Sequence, residues 1–304
     1  MTAQEMNKRA LSAAMKYMGE FAWPTILVAL IACFGFVVTP VLVFLELLGL
    51  GLGTVLMALF AYLSYTIMHD SVHGAIAGKH VSWRWLNSFF GYFTGLVLGI
   101  PFTAHRHEHI AHHRHTNDPK HDPDFQISEM TQSPWKAILC SWRLVAGNYT
   151  FYYKHRWAKA PRAEKVKLCT ETAVAIGARV ALMSFDFWLE GLVLFAVGPA
   201  LGVMCVIYLF AYIVHRPHQD IGRYVDTSTI DVEGASGWLV TWAWMFQNYH
   251  SIHHLFPKVP FYRYRALFKE IEPIMRLQKA PIYQLTWAGL KPQENTEAPL
   301  GQAL

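Results

Sequence analysis

The residues of this chain best suited to chemistry are its histidines. There are sixteen, and eight of them fall into three short clusters. His69 and His73 form H-x-x-x-H, while His109, His112 and His113 form H-x-x-H-H. His250, His253 and His254 repeat the second pattern. On a helix, positions three and four apart share a face, so each cluster can aim its rings at one point. Eight imidazoles exceed what one four-coordinate structural zinc needs. Divided between two metals, they suit a centre that keeps positions open. Imidazole binds iron, copper or zinc, and the donor type alone does not choose among them.

His215 lies in His215-Arg216-Pro217-His218, where an apolar block ends, at the same membrane depth as the three clusters. It is a ninth candidate ligand, with His218 as its alternative. His80, His105, His107, His115, His121 and His155 are read as surface or supporting residues, although His105 and His107 crowd the second cluster and compete for a place in it. Asp70, Glu108, Asp118, Asp122 and Asp124 are near enough in sequence to orient ligating imidazoles. His107-Glu108 does not begin a metalloprotease motif, because position 111 is alanine.

The elements that must hold these clusters are membrane helices. Hydrophobic residues make up 53% of the chain and charged residues only 15%, well below the roughly 25% of soluble proteins. From Pro24 to Met68 the only charge is Glu46, and Gly49–Gly53 supplies a turn free of Lys and Arg. A span needs about 20 residues, so two helices are expected there. A second block, Thr172 to Val214, breaks near Asp186 and Glu190 and predicts two more. The segment Leu86–Phe102 is apolar as well, but a single crossing would put the first two clusters on opposite sides of the membrane. It is therefore expected to be re-entrant or interfacial. Trp135–Trp157 mixes aromatics with Lys and Arg and reads as an interfacial helix.

The fold class expected is thus an all-α integral membrane protein. It has about four transmembrane helices, interfacial helices and a cytoplasmic histidine-rich cap. Residues 1–290 form a single domain, and residues 291–304 form a polar, disordered tail. Basic residues from Arg106 to Lys167 place that side in the cytoplasm by the positive-inside rule, ahead of a nucleic-acid reading. Cys33, Cys140, Cys169 and Cys205 are too scattered for a disulfide framework or a cysteine metal site. The N-terminal region reads as leading into an uncleaved first membrane helix.

Around these clusters the sequence, from about Tyr65 to Arg265, resembles the membrane fatty-acid desaturase and hydroxylase superfamily. The F-x-x-x-R-x-x-H-x-x-H-H pattern is met by Phe102, Arg106, His109, His112 and His113. Flanking strings look most like carotenoid β-ring hydroxylases. These are Thr116-Asn117-Asp118-Pro119, Asp122-Pro123-Asp124, His215-Arg216-Pro217, and Gln247 through Pro257 to Pro260-Phe261-Tyr262-Arg263-Tyr264. The extra histidines at 105 and 107 depart from that pattern.

The resemblance implies two iron ions held by His69, His73, His109, His112, His113, His215, His250, His253 and His254, with molecular oxygen as co-substrate and no catalytic residue beyond the ligands. It implies an oxidoreductase acting on C–H bonds of a membrane lipid in a bacterial-type cytoplasmic membrane. Hydroxylation of a carotenoid β-ring is the first expectation; acyl-lipid desaturation and carotenoid ketolation are alternatives. A metal transporter is the reading from a different class. Transporters place ligands near mid-bilayer within repeated halves, whereas these histidines sit at span ends and no repeat is present. No nucleotide loop, haem motif or ferredoxin-like cysteine set occurs. Electrons must then come from a separate ferredoxin or reductase chain, which the basic loop can dock.

Overall fold

The computed structural model describes residues 2–183, 187–232 and 234–293. It begins with a short helix, α1 (Ala3–Met15), closed at its start by a Thr2–Glu5 capping box. Two long helices follow, α2 (Trp23–Phe44) and α3 (Leu50–His73). A third apolar helical run, Trp188–His215, comprises α8 (Trp188–Leu192), α9 (Gly198–Val206) and the wider π-type turns beside them. These three are long and apolar enough to cross a membrane. At 1.5 Å per residue, 22 residues reach about 33 Å, matching a hydrocarbon core of about 30 Å. Their outward side chains suit lipid: Leu30, Phe34 and Val37 on α2 and Leu52, Val55 and Leu59 on α3 are exposed.

Small residues let the three runs approach one another. A Cβ on Gly202 would lie 2.2 Å from the Ala58 carbonyl oxygen, and one on Gly53 would lie 2.6 Å from Val43 Cγ2. The α2–α3 connection is therefore shorter than the glycine run suggests. Gly51 and Gly53 both belong to α3, Gly53 as a packing residue, and the turn itself uses Glu46 at positive φ.

Between α3 and the second cluster the chain makes a helical hairpin. α4 (Trp85–Leu98) has 14 residues, about 21 Å, too short to cross. It ends at Gly99 in the left-handed conformation, and α5 (Phe102–His115) runs back. The expectation for Leu86–Phe102 is met in this form. Arg179 ties the hairpin tip: its guanidinium donates to the carbonyls of Leu96 and Val97, and also to Ala175 and Phe195. The last carbonyls of a helix lack partners within it, and a buried end needs such donors.

α6 (Pro134–His155) turns Trp135, Ile138 and Trp142 outward and buries Cys140, Asn148 and Tyr152, as a helix lying at an interface does. α7 (Arg162–Met183) holds the expected fourth span, but Glu171 and Arg179 interrupt its apolar stretch and it is not among the three candidate crossings. The expected turn at Asp186 lies outside the described residues.

The chain is mostly helical but not all-α. β1 (Thr229–Asp231), β2 (Ile282–Thr286) and β3 (Gly289–Pro292) make a sheet in the order β1-β2-β3, parallel then antiparallel. Its role is positional. β1 holds the segment around α11 (His250–Leu255): Asn248 Nδ2 donates to the Ile230 carbonyl at 2.9 Å, and Tyr249 OH donates to Asp231 Oδ1 at 2.6 Å. α10 (Ala235–Ala243) and α12 (Tyr264–Leu277) complete the cap. Lys291 and Pro292, expected in the tail, belong to β3, and residues 294–304 lie outside the described ones.

Candidate metal centre

Each histidine cluster stands at the end of an element. α3 presents His69 and His73 in its last turn before Gly74 takes the left-handed conformation. α5 presents His109, His112 and His113, the third apolar run ends at His215, and α11 carries His250, His253 and His254. The ends meet. Ring nitrogens of His69, His73, His109, His113 and His253 lie within 4.8 Å of one another, and so do those of His112, His215 and His254. His250 stands between the groups, its ring 4.8 Å from those of both His215 and His254. All nine candidate ligands are therefore brought together.

The contacts between rings have the spacing of ligands on a cation. His113 Nε2 is 3.1 Å from His109 Nε2 and 2.8 Å from His253 Nε2. His215 Nε2 is 3.0 Å from His112 Nε2 and 3.3 Å from His254 Nε2. With metal–nitrogen bonds of about 2.0–2.1 Å, two neighbouring nitrogens on one ion sit about 2.8–3.4 Å apart, from octahedral to tetrahedral geometry. A single ring hydrogen can serve only one such pair, whereas a cation serves them all. Both ring nitrogens of His69 and the Nε2 of His73 are buried with no hydrogen-bond partner. Buried polar atoms are rarely left so, and a bound metal accounts for one nitrogen of each ring. The donor set fits a pair of metal ions.

At four of the rings the outward Nδ1 is occupied, which selects the inward Nε2 for the metal. His112 Nδ1 meets Asp122 Oδ1 at 2.9 Å, His215 Nδ1 donates to the Ala211 carbonyl at 2.6 Å, and His250 Nδ1 donates to Gln247 Oε1 at 2.9 Å. His253 Nδ1 lies 3.0 Å from the Tyr264 hydroxyl. Burial, with the crowd of neighbouring imidazoles, holds His109, His113, His250, His253 and His254 well below the ordinary histidine range, so they are neutral lone-pair donors. His112 behaves differently: burial disfavours its charge, but Asp122 and Asp124 outweigh that and raise it to about 9.

Among the expected supporting carboxylates, Asp122 touches a candidate ligand and Asp124 lies 3.7 Å from His112 Nδ1. Asp70 instead accepts from Thr25 Oγ1 at 3.1 Å, and Asp118 pairs with His121 on the surface. His107 lies away from the centre, 3.0 Å from Glu164. His105 turns to Asn148, and His218 stacks on Tyr212, so the geometry prefers His215 over His218. Gln247, Tyr264 and Asn117 were not singled out for these roles. Asn117 ties the turn after α5 to the carbonyls of Asp220 and Asp226, each at 2.8 Å. Their signal was the strings flanking the clusters, which carry exactly these buried polar partners.

The profile of the fatty acid desaturase family matches residues 45–286, which includes every one of these histidines. The chain belongs to this family. It is 25% identical over 243 residues to a fatty acid desaturase of Bacillus subtilis, covering 73% of this chain and 68% of that protein. It is also 25% identical over 260 residues to the sn-1 acyl-lipid omega-3 desaturase (ferredoxin) of Synechocystis, covering 76% of this chain and 69% of that one. A shorter match, 34% identical over 70 residues, reaches the zeaxanthin 4-ketolase of Chlamydomonas reinhardtii, covering 23% of this chain and 15% of the ketolase. Family members of this kind are membrane oxidoreductases, and the chain is accordingly a membrane protein with a lipid desaturase or oxygenase type of function.

Proposed function

We propose that the nine histidines hold two iron ions and that the chain oxidises C–H bonds of a membrane lipid with molecular oxygen. The observation that carries this reading is the convergence of nine imidazoles from four separate elements, with inward nitrogens at ligand spacing and unpartnered nitrogens on His69 and His73. Iron bound there supplies oxygen activation for C–H cleavage. The chain's own residues orient the rings, through Asp122, Gln247, Tyr264 and the Ala211 carbonyl, and exclude bulk water by burying them.

The electron count fixes the need for a partner. Introducing a double bond removes two hydrogens from the lipid; with two electrons and two protons from outside, one oxygen molecule becomes two waters. Hydroxylation uses the same two external electrons and leaves one oxygen atom on carbon and one in water. A separate ferredoxin or reductase chain is the proposed donor, in keeping with the printed name of the Synechocystis relative. Basic residues such as Arg114, Lys120 and Lys136 on the histidine side would meet its acidic surface.

Acyl-lipid desaturation is the reading favoured by relatives that match about three quarters of the chain. Oxidation of a carotenoid end ring is the second reading, favoured by the strings flanking the histidine clusters and by the 70-residue match to a ketolase. Expression in a host making β-carotene, with pigments and fatty acids both analysed, separates them: new unsaturated chains support the first, and an oxygenated carotenoid the second. Absence of any oxidised lipid in a host that supplies iron and ferredoxin, with two irons bound per chain, would overturn both.

The proposed topology has four crossings with the histidines at the cytoplasmic face. Connectivity supports α7 as the fourth: Glu164 near its start contacts His107 on the histidine side, while Phe187 just beyond it packs on Phe44 at the far end of α2.

A further inference from the structure

His105 and Glu108 are buried beside the candidate metal centre without belonging to either histidine group, and the partly buried Asp124 stands 3.7 Å from His112 Nδ1. Their position follows from the helix repeat. Tyr65, His105, Glu108 and Ala211 each lie four residues before a candidate ligand, namely His69, His109, His112 and His215. The three elements concerned all run toward the metal layer. These residues therefore form the layer one turn deeper, on the membrane side.

That layer contains a small cavity of about 30 Å³, lined among others by Tyr65, His105, Glu108, Asp124 and Asn148. Val145, Val203 and Ile207 also line a second cavity of about 290 Å³, which opens past Ile138, Trp142 and Met204. Those last three side chains are exposed on the apolar outer surface. The two cavities thus share an apolar wall, one open toward the lipid-facing surface and the other ending in polar groups beneath the histidines.

The hydrogen bonding at that end selects a chemical group. Asn148 Nδ2 donates to the Leu144 carbonyl at 3.0 Å, which turns its Oδ1 toward His105 Nδ1 at 2.9 Å. His105 must then carry its hydrogen on Nδ1, leaving a lone pair on Nε2. That nitrogen is buried without a partner. It is an acceptor, and Asp124 beside it accepts a hydrogen bond from the Glu108 carboxyl. A run of methylenes lying here would leave the His105 nitrogen unsatisfied, and a ketone or ester oxygen would face it with further lone pairs. A hydroxyl supplies the one missing hydrogen.

We propose that this cavity is a subsite for a hydroxyl group, so that the preferred substrate is a long-chain or ring lipid already bearing an alcohol close to the carbon that is oxidised. The proposal rests on the reading of the centre as a lipid-oxidising one and names its substrate class. It also gives His105 a task, as a specificity residue facing the substrate, with Asn148 as the residue that sets its tautomer.

The test is equilibrium binding to the purified, iron-loaded protein in lipid nanodiscs. The probes are octadecane, octadecan-1-ol and octadecan-2-one, together with β-carotene and its 3-hydroxylated form. In the unaltered protein each alcohol should bind at least tenfold more tightly than its hydrocarbon, and the ketone should gain nothing. In His105→Leu the preference should fall within twofold while the hydrocarbon affinity is kept. Equal affinities for alcohol and hydrocarbon in the unaltered protein overturn the proposal even if no variant folds. So does a tenfold preference that survives in His105→Leu. Iron content measured on the same samples keeps the two ideas apart: equal affinities in the unaltered protein with two irons bound sink only the subsite, whereas absence of iron sinks the metal reading.

Discussion

His112 on α5 and Asp122, ten residues on, face each other at 2.9 Å across the turn that follows the helix. Asp122 is itself fixed, because its other oxygen accepts from the Asn117 amide at 2.8 Å. The carboxylate therefore sets both the orientation of the ring and which nitrogen faces the metal. Asp122→Ala should weaken metal binding about 10- to 100-fold, as removal of such partners does elsewhere. Competition with a chelator of known affinity measures this, and unchanged affinity would remove Asp122 from the centre.

His113 stands at the middle of the larger group, within 3.1 Å of His109 and 2.8 Å of His253 through their Nε2 atoms. His113→Ala and His253→Ala should each lower bound iron by at least one ion per chain and reduce turnover by a factor of about 100 or more. His107→Ala is the control. His107 bonds to Glu164 and not to the centre, so its iron content should stay at two. Elemental analysis of purified variants, alongside product formation in cells, decides.

Arg179 joins three elements by donating to four carbonyl oxygens. Replacing it with leucine should cost roughly 2–4 kcal/mol, since hydrogen bonds to charged groups contribute about 1.5–3 kcal/mol and carbonyls are left bare. Arg179→Lys should not restore stability, because a single ammonium cannot reach carbonyls on α4, α7 and the third apolar run together. Thermal unfolding in detergent, with iron content measured in parallel, tests whether the hairpin tip rather than the metal is what fails.

Glu164 accepts from Arg156 at 2.9 and 2.7 Å and from Tyr152 at 2.7 Å. The Arg156 hydrogen bonds chiefly, against some burial and with help from Tyr152 and His107, hold its carboxyl down at about 2. A carboxyl lowered on folding contributes stability that is fully present above its ordinary value near 4.5. That contribution is lost as pH falls toward about 2. The melting temperature of the unaltered protein should therefore exceed that of Glu164→Gln at pH 7, with the gap shrinking progressively as pH falls from about 4.5 toward about 2. A gap that stays constant with pH would assign the effect to packing instead.

Much of the centre was legible before any fold was known, because the relevant geometry is local. Spacings of three and four residues place His109, His112 and His113 on one helical face whatever surrounds them. The requirement that His69 and His109 share a side of the membrane also excluded a crossing by Leu86–Phe102, and the α4–α5 hairpin follows that rule. The sheet was not legible. β1 is three residues long and pairs with a strand more than fifty residues away, so neither length nor alternation could announce it. The crossing expected in α7 is not among the three candidate spans, since Glu171 and Arg179 interrupt its apolar stretch, and it is proposed from connectivity.

By itself, the sequence determined the histidine clusters, the chain's residence in a membrane and the elements that carry the histidines, since these depend on side-chain chemistry and helical repeat. Tertiary structure alone decided how the nine rings divide into two groups around His250, which carboxylates face them, and that His105 lies a turn deeper with a free acceptor nitrogen. Those relations join residues up to about 180 positions apart, from His69 to His253. Such distances are closed by packing among α3, α5, the third apolar run and the β1-anchored α11, and no local pattern encodes them.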